Sequence, residues 1–77
     1  MNLFKLKEFN DERVVYLYQP EGRGEWGEVA YIFADNSFKV LKRAEENSAL
    51  HDRMALTKMK ERIEKKNLPM EFIQAWY

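Results

Sequence analysis

Two runs of the chain, Arg13–Gln19 (RVVYLYQ) and Val29–Ala34 (VAYIFA), are rich in apolar, β-branched and aromatic side chains. Such residues favour extended backbone. The stretch between them, Pro20–Gly27 (PEGRGEWG), holds one proline and three glycines and breaks any regular element. Alternate side chains of a strand leave opposite faces. Val14, Tyr16 and Tyr18 therefore point one way and Val15 and Leu17 the other. In the later run Val29, Tyr31 and Phe33 oppose Ala30, Ile32 and Ala34. Both faces of the sheet centre are thus apolar, whereas a sheet with one wetted face alternates more cleanly. Such a sheet needs a cover on each side, or tyrosines that stand half-exposed with their hydroxyls in water.

Few elements are available to supply that cover. Leu3–Phe9 alternates, with Phe4 and Leu6 on one side and Lys5 and Lys7 on the other, and Asn10-Asp11-Glu12 is a turn cluster. Asp35-Asn36 tolerates the positive φ of a tight hairpin turn and leads into a strand over Ser37–Lys42. Short connections make these neighbours antiparallel, a four-stranded meander. One helix follows. Asn47 or Ser48 is its expected N-cap, and Glu45, Glu46 at the start and Lys65, Lys66 at the end suit the helix dipole. Ala49, Leu56, Met59 and Ile63, with Ala55 beside them, form its apolar stripe; Leu50 and Met54 lie off it. Asn67 and Pro69 stop the helix, and the aromatic tail Met70–Tyr77 reads as a last strand. The expected fold is a single α+β domain over residues 1–77: a four-stranded antiparallel meander, one C-terminal α-helix packed on one face, and a short terminal strand.

At 77 residues a chain buries only about 60–65% of its unfolded surface, too little for deep cofactor pockets. There is no cysteine, which excludes disulfides, thiolate chemistry and cysteine–zinc sites and fits a reducing compartment. The first residues lack the apolar core of a signal peptide, and the longest apolar stretch, Val29–Ala34, is far short of a membrane span. A cytoplasmic protein without membrane attachment is expected.

Gly22-Arg23-Gly24-Glu25-Trp26-Gly27-Glu28-Val29 matches G-x-G-x-x-G-x-V and so resembles the phosphate-covering loop of protein kinases. No H-R-D or D-F-G triplet follows, and a strand rather than a helix comes next, which also excludes a dinucleotide fingerprint. Glu21, Glu25 and Glu28 would repel phosphate against the single Arg23. The stretch reads as a hairpin loop. His51 has neither a second imidazole nor a thiol to complete a transition-metal site, and it reads as a surface residue of the first helical turn. Ser37 and Ser48 lie in no nucleophile motif, and the carboxylate pairs Glu45-Glu46 and Glu61…Glu64 come with no sign of a pocket that would split their pKa values. No catalytic, cofactor-binding or metal-ligating residue is assigned.

The net charge is zero, but the halves differ: residues 1–38 carry 4 basic and 7 acidic side chains, residues 39–77 carry 9 and 6. Lys39, Lys42 and Arg43, with Lys58, Lys60, Arg62, Lys65 and Lys66 on the helix, form a basic stripe that could hold single-stranded nucleic acid beside exposed tyrosines. Glu61 and Glu64 interrupt it, and Glu61 precedes Lys65 by four residues, the favourable pairing order, so an internally paired helix face is the better reading. Trp76 and Tyr77 are expected to pack into the core, with a protruding hook for a partner as the alternative.

The order of strands, charged helix, Leu68-Pro69 and final Ala75-Trp76-Tyr77 resembles small uncharacterised bacterial proteins of similar length. The resemblance implies a strand for the tail and a bacterial or mobile-element origin, and it carries no activity. The expectation from sequence is a non-enzymatic interaction or accessory module that meets a protein partner, or a second copy as a homodimer, through one sheet face containing Tyr16, Tyr18 and Tyr31 or through the Gly-rich loop. The alternative is a weak single-stranded nucleic-acid binder using Lys39, Lys42, Arg43, Lys58 and Arg62.

Overall fold

The computed structural model describes residues 1–44 and 49–74. Its elements run β1 (Asn2–Phe9), β2 (Arg13–Pro20), β3 (Gly27–Ile32), β4 (Ser37–Lys42), α1 (Ala49–Glu64) and β5 (Glu71–Gln74). All strand neighbours are antiparallel, in the order β4-β3-β2-β1-β5. The expected meander is present, and the terminal strand extends it along β1 at the far edge. The N-cap residues Asn47 and Ser48, Glu45 and Glu46, and the tail Ala75, Trp76 and Tyr77 lie outside the described residues, as does the Ala49 side chain.

Local chemistry sets the turns. The Asn10 carboxamide oxygen accepts from the backbone N–H of Glu12 at 2.8 Å and of Arg13 at 3.0 Å, an Asx turn that reverses β1 into β2. Between β3 and β4 Ile32 faces Ser37, so the loop is 33–36 and β3 ends two residues before the expected Ala34. Asn36 there takes φ 52°, the left-handed conformation asparagine tolerates, and its side chain accepts from the Tyr31 hydroxyl at 2.5 Å. The helix closes in a Schellman motif: Lys66 N–H donates to Ile63 O at 3.1 Å and Asn67 N–H to Arg62 O at 3.0 Å, with Lys66 at φ 54°.

Two bulges re-aim side chains. Leu6 faces Tyr16 and Glu8 faces Val15, so Lys7 is the extra residue. Without it Phe9 would share the face of Lys5; with it Phe9 pairs with Val14 on the helix side. On β4, Glu28 faces Lys42 and Val29 faces Val40, which leaves Leu41 extra and exposed.

The helix lies across one face of the sheet. Phe4, Val14, Tyr16, Tyr18, Val29 and Tyr31 from the strands pack with Ala44, Ala55 and Met59, and Leu56, Ile63, Leu68 and Phe72 close around them. The expected helix stripe therefore meets the core through its described members, while Leu50 is exposed.

Candidate functional site

The three tyrosines expected to form an open interaction face are core residues. Tyr16 and Tyr18 have 0% and Tyr31 8% of their surface exposed. Each also finds a polar partner for its hydroxyl: Tyr16 donates to Pro69 O at 2.7 Å, Tyr18 to the Asp52 carboxylate, and Tyr31 to Asn36. Sequence alternation put Tyr16 and Tyr18 on one face but did not say which face of the sheet the helix covers. The tyrosine face is the one that α1 covers, so no partner surface is available through Tyr16, Tyr18 or Tyr31.

The basic stripe is likewise divided. Phe38 and Val40 pack toward the core, so Lys39 between them faces away from the helix, as does Lys42 opposite Glu28. Arg43 is paired through Nε with Asp52 Oδ2 at 2.8 Å, and Lys58 with Glu61 at 3.3 Å. Arg62 lays its guanidinium 4.6 Å from the centre of the Phe72 ring. Lys65 also meets Glu61, at 3.1 Å, and these two lysines hold the Glu61 carboxyl below its ordinary range. Lys39 and Lys42 thus stand on one side of the molecule, and Lys58 and Arg62 belong to the helix on the other.

Asp52 is the polar residue that sequence reasoning passed over. It is 7% exposed, in the first turn of α1, where the helix dipole favours a carboxylate. It joins β2 through Tyr18 and the end of β4 through Arg43. Its only signal was an acidic residue just inside the helix start. A second polar chain runs nearby: Asn2 Nδ2 donates to Gln74 Oε1 at 3.1 Å and His51 O at 3.4 Å, and Gln74 Nε2 donates to Met54 O at 3.0 Å. His51 sits 3.4 Å from the Glu21 carboxylate, which the N-terminal amine and His51 hold below its ordinary range. These contacts lock helix to sheet. Among the described residues no three His, Cys, Asp or Glu side chains converge to hold a metal, and no helix is long and apolar enough to cross a membrane.

The sheet face away from the helix has no second layer among the described residues, yet Val15 is 1% and Ala30 0% exposed. Charged side chains of the same face shield them: Lys7 pairs with Glu28 at 2.8 Å and Arg13 with Glu8, and long side chains of this kind cover apolar surface with their stems. Lys5 adds an ammonium 5.3 Å from the Trp26 ring centre. This self-made roof ends toward β5. There Leu3 faces Ile73, and Ile73 is 57% and Met70 69% exposed. Leu3, Lys5, Glu71, Phe72 and Ile73 line a shallow hollow of about 280 Å³.

The two sheet edges are unequal. An edge strand is normally blunted by lysines or a bulge. β4 has both, in Lys39, Lys42 and the extra Leu41. β5 has neither lysine nor bulge: its sequence is Glu71-Phe72-Ile73-Gln74, its pairing with β1 is regular, and its outer edge pairs with no strand among the described residues. The lead-in is anchored, with Leu6 N–H donating to Met70 O at 2.7 Å and Tyr16 to Pro69 O. A strand edge anchored at its start, with no partner among the described residues and an apolar hollow beside it, can accept another strand. No protein-family model, curated protein or solved structure matches the chain.

Proposed function

We propose that the protein is a small non-enzymatic interaction module that takes an extended segment of a partner protein along the outer edge of β5. The observation that carries this reading is the unequal protection of the two edges. Strand addition draws affinity from main-chain hydrogen bonds and specificity from pockets for alternate side chains. The β5 edge offers the first, and the hollow beside Leu3 and Ile73 the second. Four residues span only about 13 Å, too little to hold a stable dimer by themselves. The occupant is therefore an extended apolar peptide segment, with a basic side chain to meet the exposed Glu71, and binding is weak and reversible.

The test is hydrogen exchange with a short probe peptide of alternating valine and threonine flanked by lysines. Slower exchange confined to residues 71–74, lost in Ile73→Pro while the thermal midpoint holds, supports the proposal. Protection at β4, or none at millimolar peptide, sinks it. A mass that doubles with concentration in the absence of peptide would replace the partner with a second copy.

A further inference from the structure

At the opposite end of β1 from Asn2, Phe9, Phe33, Ile63 and Leu68 enclose an open hollow of about 410 Å³, with Lys66 on its rim. We infer that this hollow binds a small aromatic carboxylate, the ring packed against Phe9 and Phe33 and the carboxylate against Lys66. This site is separate from the β5 edge and does not depend on that proposal.

Three observations converge on it. The bulge at Lys7 turns Phe9 onto the helix side, yet Phe9 stays 57% and Phe33 37% exposed, so the two rings are gathered over the hollow without filling it. Their centres are 6.4 Å apart at 37°, within the range in which aromatic rings attract one another and a further ring can pack against their edges. The charge is supplied by the third observation. Lys58 and Lys65 share Glu61, and Lys7 meets Glu28, but Lys66 forms no ion pair among the described residues. It also holds the left-handed position of the helix cap at φ 54°, where glycine is the favoured residue. A lysine there forgoes stability, and such outliers collect at binding sites. Two carbonyls of the last helical turn, of Arg62 and Ile63, already accept from the cap N–H groups, which reduces their repulsion of an anion. The volume falls within the range of small-molecule sites.

The experiment titrates the full chain with 2-naphthoate, followed by amide chemical shifts, with 2-naphthylmethanol as the uncharged counterpart. Binding is expected to shift Phe9, Phe33 and Leu68, to weaken with salt, and to favour the acid over the alcohol by roughly 2–5-fold, as an exposed ion pair allows. Lys66→Gly should weaken naphthoate by the same roughly 2–5-fold while the thermal midpoint stays level or rises, a pattern that damage to the fold would not give. Phe9→Ser should weaken both ligands by about tenfold. No shift at millimolar naphthoate, shifts elsewhere, equal binding of acid and alcohol, or unchanged binding by Lys66→Gly would each overturn the inference.

Discussion

The ring of Tyr18 occupies the space a side chain at Gly27 would need: an ideal Cβ there would stand 2.6 Å from the phenolic oxygen, and nearer still to the ring carbons. The two residues face each other across β2 and β3, and Tyr18 is fully buried with its hydroxyl committed to Asp52. The third glycine of the motif is therefore a packing residue on a strand, and its resemblance to a phosphate loop is incidental.

Gly27→Ala should consequently destabilise the protein by about 1–3 kcal/mol, the usual cost of overpacking a filled core. Chemical denaturation measures it. A cost near zero would mean that Tyr18 can move aside, against the close packing described above.

Asp52→Ala takes an acceptor from Tyr18 and the counter-charge from Arg43 at once. Losing an acceptor for a buried hydroxyl costs about 1–3 kcal/mol. The Arg43 side chain is 49% exposed, so its ion pair adds at most about 1 kcal/mol. Arg43→Ala alone should therefore cost much less than Asp52→Ala, and a double-mutant cycle should find the two residues coupled. Equal costs would place the main stabilisation in the ion pair instead.

Tyr16 adds a pH signature. Burial pushes its hydroxyl up to about 12 from an ordinary value of 10.0. The unfolded chain releases this proton first, so between these values the unfolded state binds fewer protons and stability falls as pH rises. The loss is absent below pH 10 and grows by up to about 1.4 kcal/mol per pH unit above it. Tyr16→Phe should remove most of that slope, and should cost about 1 kcal/mol at neutral pH by leaving Pro69 O without its donor. Denaturation midpoints at pH 8, 10 and 11 decide it.

Strand periodicity made the sheet legible because β2 and β3 are long runs of strand-forming residues, and the helix because Leu56, Met59 and Ile63 repeat at its pitch. What was hidden depended on contacts distant in sequence. The bulge at Lys7 has no local signature, so the turn of Phe9 onto the helix side could not be foreseen. Alternation showed that Tyr16 and Tyr18 share a face, but which face α1 would cover is set by packing over sequence separations such as the 34 positions from Tyr18 to Asp52. The roof over Val15 comes from charged residues whose pairing has no local signal, since Lys7 on β1 and Glu28 on β3 meet across β2. The β5 edge became visible only when the tail was placed beside β1.

That edge makes a last prediction, drawn from its contrast with β4. Ile73 is 57% exposed, so Ile73→Lys removes little buried surface and should change stability by no more than about 0.5 kcal/mol. It places on β5 the kind of charge that Lys39 already supplies on β4. Thermal aggregation should therefore diminish in Ile73→Lys at unchanged midpoint, and the strand probe should lose its binding. The reciprocal change, Lys39→Ile, strips β4 of one of its two lysines and should promote salt-insensitive association, because apolar edge pairing lacks the steep salt dependence of ionic contacts. Light scattering on both variants at low and high salt reads the two outcomes together. If Ile73→Lys aggregates as the parent does while Lys39→Ile stays monomeric, the edges are equally inert and β5 has no special readiness to pair.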